Sequence, residues 1–186
     1  MRKKYLKVFI ISLLMCGFTI LYFSNINYSQ AKFQYIGIEK CATICHKSEK
    51  QGSQLGIWQE SKHSKTFVTL ATPYAKELLK KAGKEGDPQK SPVCLECHST
   101  GYGKDKSTFA ATFKIEEGVT CEACHGPGSA YRSISIMKDK EKFLASGGII
   151  PKEKDCLKCH TPKAHQLFEF KFEERAKKIA HPVPKK

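Results

Sequence analysis

The chain has 186 residues, nine cysteines, seven histidines and a formal net charge of +14, enough length for one compact domain once its N-terminus is set aside. Residues 1–31 hold four of the cations and no acid, so the remainder carries +10. No phosphate loop, Ser-His-Asp set or pair of catalytic carboxylates is present, which excludes the commonest nucleotide-handling and hydrolytic classes.

Taken from the start, Arg2, Lys3, Lys4 and Lys7 precede the apolar run Val8 to Phe23, and Ser29-Gln30-Ala31 places small residues at a cleavage site. Residues 1–31 therefore read as an export signal, either cleaved or retained as a membrane anchor through residues 8–23. The run is long for a signal core and short for a full span. Cys16 follows Met15, where a lipidation motif wants a small residue, so it reads as a cysteine buried in an apolar segment.

The remaining stretch, 32–186, reads as one domain, and its first feature is Cys41-Ala-Thr-Ile-Cys45-His46. Next, His63, Phe67 and Leu70 fall on one face of a helix expected over Trp58 to Leu70. Thr72-Pro73 predicts an N-cap and first helical position, with Gly83 as the stop. Lys84 to Pro92 and Ser99 to Lys106 read as loops. Between and beyond them stand Cys94-Leu-Glu-Cys97-His98, Cys121-Glu-Ala-Cys124-His125 and Cys156-Leu-Lys-Cys159-His160. A last helix is expected over Ser129 to Ser146, with Ile136, Met137, Phe143 and Leu144 on its apolar stripe and Gly147-Gly148 closing it. Strand signals are scarce.

Cys-x-x-Cys-His is the attachment pattern of c-type haem. Two thiols at this spacing can bond the two vinyl groups on one porphyrin edge, and the adjacent histidine reaches under the ring to the iron. Zinc knuckles and thioredoxin-like pairs share the cysteines but not the adjacent histidine. Three repeats fix the reading, and Cys41, Cys45 and His46 form a longer variant whose alternatives are a disulfide or a zinc pair. The expected cofactors are four covalently attached haems c, on Cys41/Cys45, Cys94/Cys97, Cys121/Cys124 and Cys156/Cys159. His46, His98, His125 and His160 are the proximal ligands. The expected fold is mainly α with extensive irregular loops, a multihaem cytochrome c fold in which chain wraps around closely packed porphyrins. So few elements would otherwise bury too little apolar surface.

Three histidines are left over, His63, His165 and His181, and each is expected to ligate the open face of an iron. Three cannot serve four irons, so one iron lacks a histidine. Met137 suits its helix stripe better than ligation. Four haems add about eight propionate charges, leaving a holoprotein positive by only about two. The basic residues then read as a propionate-pairing surface, and redox proteins, not nucleic acid, as partners.

The stretches Trp58 to Phe67, Cys94 to Gly103, Gly118 to Ser129 and Cys156 to Pro162, followed by His165 to His181-Pro182, resemble the cytochrome c-554 family of tetrahaem proteins. The resemblance implies a helical, haem-packed fold with stacked porphyrins, three bis-histidine haems and one open haem. By carry-over the open haem is the second, held by Cys94, Cys97 and His98. The three-residue spacing at Cys41 to Cys45 departs from the family's usual pattern. In ammonia oxidisers the family accepts electrons from a hydroxylamine-oxidising enzyme. The expected function is extracytoplasmic electron transfer and not catalysis. The alternatives are a reductase of a small nitrogen or oxygen species at the open iron, and a subunit of an extracellular cytochrome filament.

Overall fold

The computed structural model describes residues 33–161 and 169–182. They belong to one compact unit, 31–186. The export segment, Cys16 and His165 lie outside the described residues. The described part is helical without strands, and its one extended pairing is an isolated bridge between Tyr35 and Phe109.

Local chemistry explains most helix ends. Helix Pro73–Lys81 begins where Thr72 Oγ1 accepts the Ala75 N–H at 3.2 Å, with proline in the first turn. It releases at Ala82-Gly83, as the sequence predicts. Helix Pro92–His98 also starts on a proline. Lys84 to Ser91 is a loop with a 3-10 turn, Pro88–Lys90, capped by Asp87, and Pro92 already opens the next helix. Ser99 to Asp105 is irregular and leads into a 3-10 turn, Lys106–Thr108, capped by Asp105.

Two expected helices are broken. The Trp58 to Leu70 segment is helix Gln54–Glu60, a 3-10 turn His63–Lys65 and helix Thr66–Thr69. Ser61 turns extended between them, and its hydroxyl donates to the Trp58 carbonyl at 2.7 Å. Serine offering the backbone a local alternative is the reason the helix stops. The Ser129 to Ser146 segment is likewise two helices, Ile134–Met137 and Lys140–Ala145. Asp139 separates them by capping the second, accepting from the Glu141 and Lys142 N–H groups at 3.1 Å each. The stripe divides accordingly: Phe143 packs on Tyr131 with ring centres 4.8 Å apart, whereas Leu144 is exposed. The stop at Gly147 is as expected, with φ of 85°.

The side-chain core is small. Among the described residues only Ile36, Leu70, Ala75, Leu79, Leu95 and Tyr131 are buried apolar groups. Leu70, Ala75 and Leu95 form one cluster, edged by Phe67, Cys94 and Tyr102. A domain of this length needs far more buried apolar area to fold, so large apolar groups outside the polypeptide must complete it.

Polar ties hold the segments in place. Thr66 Oγ1 lies 2.9 Å from the His63 carbonyl and 3.0 Å from that of His98, and accepts the Val119 N–H at 3.0 Å. Trp58 Nε1 donates to the Val119 carbonyl at 2.8 Å. Gly118 permits this crossing: its φ is 72°, and a Cβ there would stand 2.6 Å from Thr66 Oγ1 and 3.3 Å from the Phe67 nitrogen. Gly118→Ala is expected to destabilise the protein by about 1–3 kcal/mol, read as a lower midpoint in denaturant unfolding.

Candidate haem sites

The four Cys–His groups reach their geometry in different ways. Cys94, Cys97 and His98 all lie in helix Pro92–His98, and Cys121, Cys124 and His125 in helix Cys121–His125. Cysteines three apart on a helix share a face, as attachment to one porphyrin edge requires. The latter helix is capped by Thr120, whose Oγ1 accepts the Glu122 N–H at 3.3 Å. In the fourth group helix Glu153–Cys156 gives way to a turn in which the Cys159 and His160 N–H groups both bond the Cys156 carbonyl. The first group differs. Helix Ile38–Cys41 ends, Thr43 is extended, and a second short helix, Ile44–Lys47, carries Cys45 and His46.

Two of the motif histidines are oriented by the backbone. His98 Nδ1 lies 2.8 Å from the Thr66 carbonyl and His125 Nδ1 lies 3.2 Å from that of Ile149. A carbonyl can only accept, so Nδ1 carries the proton and Nε2 the lone pair that an iron needs. The Thr66 and Ile149 carbonyls escaped sequence reading because they lie 32 and 24 residues away.

Two of the three spare histidines are placed against motif histidines. The His63 and His160 ring centres are 6.0 Å apart, and those of His125 and His181 are 5.7 Å apart. Two imidazoles on opposite faces of a metal have ring centres roughly 6 Å apart, from metal–nitrogen bonds of about 2.0 Å and about 1.1 Å more to each ring centre. Both pairs fit an iron between them. Phe170 stacks on His160 at 4.5 Å. His46 neighbours the second pair, since its charge is felt at both His125 and His181.

Burial holds the imidazoles of His63, His125 and His181 below the ordinary value of 6.5. A nearby histidine adds to this in each case: His160 for His63, His181 and His46 for His125, and His46 for His181. At His125 the Ile149 carbonyl bond pulls the other way.

The attachment cysteines adjoin one another across motifs. Cys97 and Cys159 hydrogen-bond, Cys124 lies by Cys156, and Cys41 lies by Cys121.

Three comparisons bear on this arrangement. A family model described as cytochrome c554 and c-prime matches residues 40–126, which contain the first three motifs. Cytochrome c-554 of Nitrosomonas europaea is 29% identical over 178 residues, covering 77% of this chain and 72% of that one. The chain is similar to the cytochrome c-554 family over most of its length. The reduced state of cytochrome c554 from the same organism superposes with a TM-score of 0.52 at 24% identity, over 80% of this chain and 79% of the other. That likeness shows the fold alone. The family similarity and the four motifs support four covalently attached haems c and electron transfer for this chain. The small side-chain core and the spaced imidazole pairs fit those groups.

Proposed function

We propose that the chain is an extracytoplasmic relay in which cysteine pairs 41/45, 94/97, 121/124 and 156/159 hold the haems in a continuous row. The observation that carries this reading is the nearness of cysteines across motifs. Cys97 and Cys159 hydrogen-bond, while Cys41 lies within electrostatic reach of Cys121 and Cys124 of Cys156, which orders the sites as first, third, fourth, second. Porphyrin edges bonded to adjoining sulfurs are themselves adjoining. When bound, the haems supply one-electron couples.

The protein's part is to hold and insulate them. His98 and His125 present Nε2 through their Nδ1 bonds, His63 and His160 would ligate the fourth iron, and His125 and His181 the third. His165 is then the remaining spare imidazole for the first and second irons, so one of these takes no second histidine from this chain. The family resemblance favours the second. Residues 1–31 deliver the chain across the membrane or tether it there. Among the described residues no helix is long and apolar enough to cross a membrane. The partners are donor and acceptor redox proteins, and nothing in the site favours a reductase or a filament subunit.

The test is protein matured by a c-type assembly system. Intact mass is expected to show four porphyrins per chain, and carbon monoxide to shift the spectrum of one reduced haem in four. Four haems that all ignore carbon monoxide would refute the open site, and fewer than four porphyrins would refute the row.

A further inference from the structure

The third motif carries an acid inside it. Glu122, between Cys121 and Cys124, is 1% exposed. Its Oε1 accepts the N–H groups of Ile36 at 2.9 Å and Gly128 at 2.7 Å, and its Oε2 those of Ile36 at 3.0 Å and Gly37 at 2.8 Å. Every one of these partners is a donor. Burial raises this carboxyl above its ordinary value and the three backbone donors oppose that rise. A protonated carboxyl would need an acceptor for its own hydrogen, so this hydrogen-bond set favours the anion. Among the described residues no cation forms an ion pair with it. Backbone dipoles satisfy the oxygens without cancelling their charge, as a lysine or arginine would.

That charge lies between two attachment sites. Burial, and after it the Glu122 charge, pushes the Cys41 thiol up. The Cys121 thiol rises to about 11, again chiefly through burial, with Glu122 and Glu117 adding to it. Glu117 stands alongside, its Oε2 accepting the Ile38 N–H at 2.9 Å at the start of the helix that bears Cys41.

We propose that Glu122, supported by Glu117, holds down the reduction potentials of the two haems attached through Cys41/Cys45 and Cys121/Cys124 by fixing negative charge between them. The inference rests on the four-haem reading above. Oxidised iron carries one more positive charge than reduced iron, so a nearby anion favours the oxidised state, and more strongly away from water. Glu122 touches no iron, and it is a positioning and charge-setting residue, not a catalytic one.

Glu122→Gln keeps the shape and removes the charge. In the full haem-loaded chain, a potentiometric titration followed by absorbance is expected to show two of the four midpoint potentials raised and the other two unmoved. Electron paramagnetic resonance is expected to show unchanged axial ligation. Glu117→Gln, at a half-buried position with one backbone bond, is expected to raise the same two by less, and it keeps the test decisive if Glu122→Gln folds poorly. Four unmoved potentials, or one uniform shift of all four, in a folded variant would overturn the proposal. Haem stoichiometry is measured first: fewer than four porphyrins in the unsubstituted chain defeats the four-haem reading itself, whereas four porphyrins with unmoved potentials defeats only the role of Glu122.

Discussion

Glu122→Ala is expected to cost about 3–6 kcal/mol of stability, the largest loss from a single side chain outside the cysteines and ligands. The side chain gathers three backbone N–H groups, from Ile36, Gly37 and Gly128. Removing it strands donors in a nearly dry site, each at about 1–3 kcal/mol, with water entering the new cavity to recover part. The loss is directional. Residues 34–37 otherwise rest on ties to the 107–112 loop and to Ser129: Tyr35 bonds Thr108 and Ala110, Thr112 donates to the Ile36 carbonyl, and Gln34 exchanges bonds with Ser129. Without Glu122 this arm loosens first, and with it the helix that bears Cys41. Limited proteolysis should therefore cut the variant near residues 33–38 before any other described segment. Cleavage elsewhere first, or an unfolding midpoint equal to that of the unsubstituted protein, would count against the clamp.

The second large effect concerns His63. Its ring faces His160 at a spacing that suits an iron between them, so His63→Ala is expected to convert one low-spin haem into a high-spin one. Carbon monoxide should then bind two reduced haems per chain where the unsubstituted protein binds one. The potential of the altered haem should rise on the order of 0.1 V, because axial ligand identity spans a range of about 0.8 V among haem proteins. His63 anchors its turn through its backbone carbonyl and not its ring, so the fold should survive the substitution. An unchanged spin state would remove His63 from the ligand set.

Both effects depend on contacts far apart in the chain, and they mark where sequence reading stops. The Cys-x-x-Cys-His motifs, the Thr72-Pro73 start and the Gly83 and Gly147 stops were legible because their chemistry is complete within a few residues, but the helices that carry the second and third motifs were not. Asp139 and Ser61 were missed, because the apolar stripe running past each suggested one helix where the structure has a break. Glu122 gave none, since a charged residue inside a haem motif suggests solvent and the donors at residues 36 and 37 are 86 and 85 positions away. The choice of His160 for His63 and of His125 for His181 likewise follows from packing around groups that the polypeptide does not itself contain.

The scarcity of buried apolar side chains decides how this protein is made. Six such residues among those described cannot hold the chain together alone, so folding waits on covalent loading. An unloaded polypeptide would stay open to proteolysis, and haem supply is therefore expected to set how much carrier accumulates after translation.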